Sequence, residues 1–233
     1  MSVETHRVLM GTCGWKHQAW LNDFYEEDLP EEWQLGFYSN EFPVVYVPAA
    51  DWLDVSNSAE ADLTEWAEDV ADSFRFVLEI PETVLINEEQ YATALQTIER
   101  LGEYCLGVVL QLTPSICNDT ALIKKRIETA KARALVCIDK SGQIFTAEIN
   151  RILIELDVAE VWDGKSQRNE NMNRGKLAVC RLAANELAMT DLKNVVAACL
   201  SASTENCISV LCLEGEPPSL EVLRNADIIL NLL

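Results

Sequence analysis

The sequence predicts a (β/α)8 barrel, built as a single domain over residues 1–233. Three observations lead there. Eight short apolar runs alternate with segments of helical periodicity along the chain, the pattern of a parallel sheet covered by helices. At 233 residues, 49% of them hydrophobic, the chain has the size and core-forming content of one such barrel. The turn after the first run reads Gly11-Thr12-Cys13-Gly14. It lacks the glycine-rich fingerprint of the open dinucleotide-binding sheet, which is the competing arrangement.

Each element has its own signal. Residues 6–12 read as the first strand, and two glycines then permit a sharp exit into Trp15, Lys16, His17, Trp20, Phe24 and Tyr25. Aromatics gathered past a strand end are costly to leave in water, so they are expected to line or close a concavity. Pro30, Glu31 and Glu32 open a helix to about Tyr38, with proline in the first turn and acids at the positive end of the dipole. Residues 44–47 form the second strand, ended by Pro48. Residues 58–73 place Leu63, Trp66, Ala67 and Val70 at helical spacing with acids between them, and Ser58 is the expected cap.

The third strand covers 74–80 and stops at Pro81, and a helix follows over 87–104. Residues 106–112, LGVVLQL, are almost wholly apolar, as a strand covered on both faces should be. A helix over 119–132, a strand over 134–139, a helix over 147–156 and a weaker strand over 158–162 come next. The most polar loop of the chain occupies 164–174. A strand over 177–182, a helix over 190–201 capped by Thr190, a strand over 208–213 and a helix over 218–230 complete the eightfold alternation.

Charge narrows the function classes. The formal net charge is −20, and residues 1–100 hold 21 Asp or Glu against 4 Lys or Arg. Phosphate backbones are bound through clustered cations, so a nucleic-acid partner is not expected. An acidic face instead keeps the protein soluble, holds divalent cations loosely or meets a basic protein partner. The chain opens without a charged-then-apolar leader and has no run of roughly 18 apolar residues, so a cytoplasmic protein that does not cross a membrane is expected. Eight cysteines occur, no two of them separated by two residues, which removes the usual zinc and thioredoxin-like spacings. Cys137, Cys180 and Cys212 sit inside apolar runs and read as core. Histidine occurs only at His6 and His17, so no metal centre built on imidazoles and no cofactor is called for.

Gly11, Thr12, Gly14, Trp15, Trp20, Phe24 and Tyr25 resemble the opening of the YecE-like family, a domain of unknown function with a TIM-barrel fold, with Cys13 where that family has serine. Phe74-Arg75-Phe76, the run 106–112 followed by Thr113-Pro114, and Arg181 are similar to the family's third, fourth and seventh strands. The family's polar strand ends are replaced. Tyr46 and Pro48 stand in the place of Glu-x-Asn, and Glu79 stands where the family has lysine. Cys137, Asp139 and Lys140 replace Glu-x-Arg-His, and Ala183-Ala184 replace His-Gly. Glu214 falls where an asparagine pair is usual. The resemblance implies a retained scaffold with rewritten pocket chemistry.

Barrels build their sites at the strand C-terminal ends. Those ends offer Glu79, Asp139, Asp163 and Arg181 as candidate catalytic groups and Cys13, Trp15, Lys16, Trp20, Gln111 and Glu214 as candidate ligand contacts. Crowded carboxylates raise one another's pKa or bind a hard cation such as Mg2+, and Arg181 could clamp a carboxylate or phosphate. Lys16 and His17 beside Cys13 could populate its thiolate. Tryptophans at strand ends could stack on a sugar or base. The loops after the seventh and eighth strands hold one glycine and two acids, which argues against phosphate. Two readings remain: a degenerate, non-catalytic binding or interaction protein, or an acid/base or divalent-metal-assisted hydrolase or isomerase acting on a small anionic or sugar-like molecule.

Overall fold

The computed structural model describes residues 8–53, 63–140, 142, 144–168, 172, 174–183 and 187–233. The expected start of the first strand at His6, the Ser58 cap, Ala184 and parts of the loop 164–174 lie outside these residues. Eight parallel strands form the barrel: β1 (Val8–Cys13), β2 (Val44–Val47), β3 (Arg75–Ile80), β4 (Cys105–Gln111), β5 (Leu135–Asp139), β6 (Ala159–Glu160), β7 (Leu177–Ala183) and β8 (Ile208–Glu214). Their order is β6-β5-β4-β3-β2-β1-β8-β7.

Trp162 closes the gap between the two ends of that sheet. Its N–H donates to the Val179 carbonyl at 2.9 Å, and its own carbonyl accepts from the Arg181 N–H at 2.8 Å. The run expected over 158–162 is therefore divided. Ala159 and Glu160 pair with β5, and Trp162 has already changed partner to β7.

The helices are α1 (Glu31–Glu41), α2 (Ala49–Trp52), α3 (Leu63–Asp69), α4 (Glu82–Leu85), α5 (Glu88–Leu101), α6 (Thr120–Lys131), α7 (Ala147–Glu155), α8 (Met189–Ala202) and α9 (Leu220–Leu232). Among the described residues, side-chain caps open four of them. Asn87 accepts from the Glu89 and Gln90 N–H groups, Asp119 from Leu122, Thr146 from Ile149 and Ser219 from Val222. Thr190 does not cap α8: the helix starts at Met189, and Ala188 stands at the cap position. The single-turn helices α2 and α4 start directly after Pro48 and Pro81, whose fixed backbone angle suits a helix entry as well as a strand end.

Strand alternation divides the core into two shells. Val44, Tyr46, Val77, Val109, Cys137, Val179, Val210 and Cys212 fill the inside of the cylinder. Val45, Val47, Phe76, Leu78, Leu110, Ile138, Leu182 and Leu211 face outward into the helical layer. The barrel is thus packed through its middle, and polar chemistry is confined to its rim.

Candidate functional site

The alternation that buries Val77, Cys137, Val179 and Cys212 also carries the residue two positions further along each strand to the inner rim. Those residues are Glu79, Asp139, Arg181 and Glu214. Arg181 lies at their centre. Its Nε donates to Glu214 Oε1 at 2.5 Å, and its Nη1 donates to Asp139 Oδ2 at 2.8 Å. The same Nη1 lies 3.7 Å from Glu79 Oε1 and 3.3 Å from the Tyr46 hydroxyl. The guanidinium also sits 4.8 Å from the centroid of the Tyr46 ring. Burial works against the Arg181 charge, but Tyr46, Glu214, Cys13 and Asp139 more than offset it and hold the guanidinium in its charged form.

Glu79 is fixed from several sides. Its carboxylate accepts from the Ala49 N–H at 3.0 Å at the entry to α2, and from the Gln111 side-chain amide. Its backbone carbonyl accepts from the Trp52 indole at 2.9 Å. The rim is therefore an ion cluster of three carboxylates around one guanidinium, each oxygen set turned toward a donor. Such a cluster tolerates loss of one member badly, because the others are left as uncompensated charge. Among the described residues, no group of three or more His, Cys, Asp or Glu is arranged to hold a metal ion.

Cys13 reaches the same rim, with its Sγ 4.0 Å from Glu214 Oε1. Burial raises its thiol pKa well above the ordinary range, and Cys212, Glu214 and Glu79 add to that against the opposing pull of Arg181. The expected activation by its neighbours is not found. Lys16 pairs with Glu31 at 3.1 Å, and His17 Nε2 lies 3.0 Å from the Cys13 backbone carbonyl instead of the thiol. Cys13 is a neutral thiol at neutral pH.

Asp163 lines a cavity of about 190 Å3 together with Asp139, Arg181 and Glu214. Its Oδ1 accepts from the Lys165 N–H at 2.9 Å and from the Ser166 N–H and hydroxyl at 2.7 and 2.8 Å. Partial burial would raise its pKa, but these three bonds outweigh it and lower it. The carboxylate is engaged in holding its own loop.

Trp15, Lys16 and Trp20 do not join the rim. Gly14, with φ at +73°, turns the chain outward, so the residues after it pack in the helical layer. Trp15 is buried edge-on against Trp66 at 4.9 Å. Trp20 is buried against Tyr38, and its indole donates to the Pro218 carbonyl at 3.3 Å. Trp162 likewise spends its indole N–H on the Ser166 carbonyl at 2.8 Å. These three tryptophans, Trp15, Trp20 and Trp162, are buried and close the core. Tyr46, in contrast, is a rim residue that the strand-end search passed over. Its signal was its inward parity with Val44.

The rim and the cylinder together define a (β/α)8-barrel protein whose polar side chains meet at the C-terminal mouth. The chain belongs to the DUF72 family, described as proteins of unknown function, whose family model matches residues 9–201. The crystal structure of a DUF72 family protein from Thermotoga maritima has a TM-score of 0.67 over 96% of this chain and 99% of that one, at 12% identity. The likeness shows the shared fold. The catalytic core of xylanase A aligns over 96% of this chain and 77% of that one with a TM-score of 0.35 and 12% identity, too distant to inform function. No curated protein matches the sequence.

Proposed function

We propose that this DUF72 barrel acts by binding and not by catalysis. The observation that carries the reading is the internal neutralisation of Arg181, the one guanidinium among the rim residues described above. Its Nε and Nη1 are already engaged by Glu214 and Asp139, with Glu79 and Tyr46 close behind. An anion arriving at the mouth would have to displace carboxylates that hydrogen-bond the arginine and would meet an excess of negative charge. Two further features agree. Cys13 is a protonated thiol, which is a poor nucleophile. The rim cavity, about 190 Å3, falls short of the ~300–1,000 Å3 of ordinary small-molecule pockets.

The competing enzymatic reading draws support from the same cavity, where Asp139, Asp163 and Glu214 converge. A thermal-shift screen with divalent metals, phosphorylated sugars and nucleotides decides between the two, run on the wild type and on Arg181→Ala and Glu79→Ala. The binding reading expects no stabilisation by any of them. Stabilisation by one ligand that both substitutions abolish overturns it in favour of an acid/base or metal-assisted enzyme.

A further inference from the structure

Strand parity and helix period bring two thiols together on the flank of the barrel. In β7, Val179 faces into the cylinder, so Cys180 points outward into the helical layer with Leu182. In α8, Leu192, Val195, Val196 and Cys199 recur at helical spacing and form the buried stripe. Cys180 and Cys199 are 3% and 2% exposed, and neither is in a disulfide. Their side chains hydrogen-bond, the Cys180 thiol donating to the Cys199 sulfur.

A core thiol ordinarily packs as a small hydrophobe, and burial pushes Cys105, Cys137 and Cys212 up to about 12. Cys199 departs from them. The bond from Cys180 lowers its pKa below the ordinary thiol value against the effect of burial, and the Arg168 guanidinium and Ser209 hydroxyl lower it further. Arg168 spans the pair. Its guanidinium lies 5.1 Å from the ring centroid of Trp162, the backbone bridge partner of Cys180. Its Nη1 donates to the carbonyl of Ala198, the residue before Cys199, and its Nη2 to the Met172 carbonyl at 3.2 Å. Among the described residues, Arg168 Nε is buried without a hydrogen-bond partner. A cation with a donor to spare, set beside two thiols, favours a thiolate.

The cover over the pair is a turn of loop and not the barrel itself. A side chain at Gly164 would lie 3.5 Å from Cys180 Sγ, so the backbone there passes directly above the sulfur. The next residues, Lys165, Ser166 and Gln167, are exposed. Local opening of such a loop costs less than unfolding the sheet and admits a water-sized oxidant.

We infer that Cys180 and Cys199 are a redox-active pair that hydrogen peroxide converts to a disulfide fastening α8 to β7. The Cys199 thiolate attacks one peroxide oxygen, the O–O bond breaks, and the departing hydroxide takes up the proton that Cys199 released. Cys199 is then a sulfenic acid and the peroxide is reduced to water. The Cys180 sulfur attacks the sulfenic sulfur, the S–O bond breaks, and hydroxide leaves with the Cys180 proton as a second water. Cys180 lies on the opposite face of β7 from Arg181, so this site stands whether or not the mouth acts by binding alone.

Peptide mapping tests the pair in the intact chain. The protein is treated with hydrogen peroxide at pH 7, unfolded in N-ethylmaleimide, and cut after Lys176, Arg181, Lys193 and Glu205, which places each of the two cysteines alone on its peptide. Mass spectrometry should find those peptides joined, lighter by two hydrogens and parted by dithiothreitol, with Cys105, Cys137 and Cys212 alkylated. Arg168→Met should slow the oxidation about tenfold, the change in thiolate population when a neighbouring cation worth about one pKa unit is lost. In Cys180→Ser, dimedone should trap a sulfenic acid at Cys199. Both cysteines alkylated after peroxide, a bridge from either to Cys207 or Cys212, or an oxidation rate unchanged in Arg168→Met overturns the inference. The wild-type map needs no substitution to be tolerated.

Discussion

Replacing Arg181 by methionine tests the rim most directly, because it keeps side-chain length and removes the charge that three carboxylates surround. Two of its hydrogen bonds are to carboxylates at 2.5 and 2.8 Å. Bonds to charged groups contribute about 1.5–3 kcal/mol each. The Arg181 side chain keeps 24% of its exposure and Glu214 30%, so water relieves part of the loss. The lower end applies, and Arg181→Met should cost about 3 kcal/mol, at the foot of the range for breaking a buried ion pair. For a domain of this size that corresponds to a Tm lower by roughly 6–12 °C. Urea unfolding should show a lower midpoint with an unchanged slope, the mark of lost stability without a change in compactness. Adding Glu79→Gln, Asp139→Asn and Glu214→Gln to the methionine variant should restore most of the loss, since no unpaired charge then remains. A single variant within about 0.5 kcal/mol of wild type, or a quadruple variant no more stable than the single, would refute the description of the rim as a closed ion cluster.

Stability should fall as the solution becomes alkaline. Burial pushes the thiols of Cys105, Cys137 and Cys212 up to about 12 from 9.0. The folded chain therefore keeps three protons that the unfolded chain releases above pH 9, a loss of about 4 kcal/mol per pH unit from there towards pH 12. Urea midpoints at pH 8, 9 and 10 measure it, and an unchanged midpoint across that interval contradicts it. Tyr38→Phe should cost about 1–3 kcal/mol by urea unfolding, because the Tyr38 hydroxyl accepts from the Thr12 N–H at 2.9 Å and donates to the Val44 carbonyl at 3.1 Å in a fully buried setting. A cost near zero would mean that water reaches Thr12. Native-state labelling of Cys13 by a thiol reagent should stay slow through pH 9, since its thiolate forms only above the ordinary range. Rapid labelling of Cys13 at pH 7 would show the opposite.

Much of the fold was legible because strands and helices announce themselves locally. The runs at 44–47, 106–112 and 208–213 are apolar enough to be strands in any barrel, and Asn87, Asp119 and Thr146 stand where helix starts require an acceptor. The sixth strand was less legible, since its division between β5 and β7 depends on how the cylinder closes. Single-turn helices after Pro48 and Pro81 have too few residues to show a period. At the rim, Glu79, Asp139, Arg181 and Glu214 could be found by their place at strand ends. That Asp163 is spent on its own loop, and that Trp15 and Trp20 turn away from the mouth, could not.

The sequence by itself determined an eightfold strand–helix alternation, an acidic first half and four charged strand ends, because hydrophobic period, composition and position along a strand are properties of neighbouring residues. The tertiary structure alone decided that Arg181 is neutralised from within, that Cys13 stays protonated, and that Trp15 packs edge-on against Trp66 in the helical layer. Each of those outcomes depends on which side chains, far apart in the chain, meet across the cylinder or between helices, and on how much water their meeting excludes.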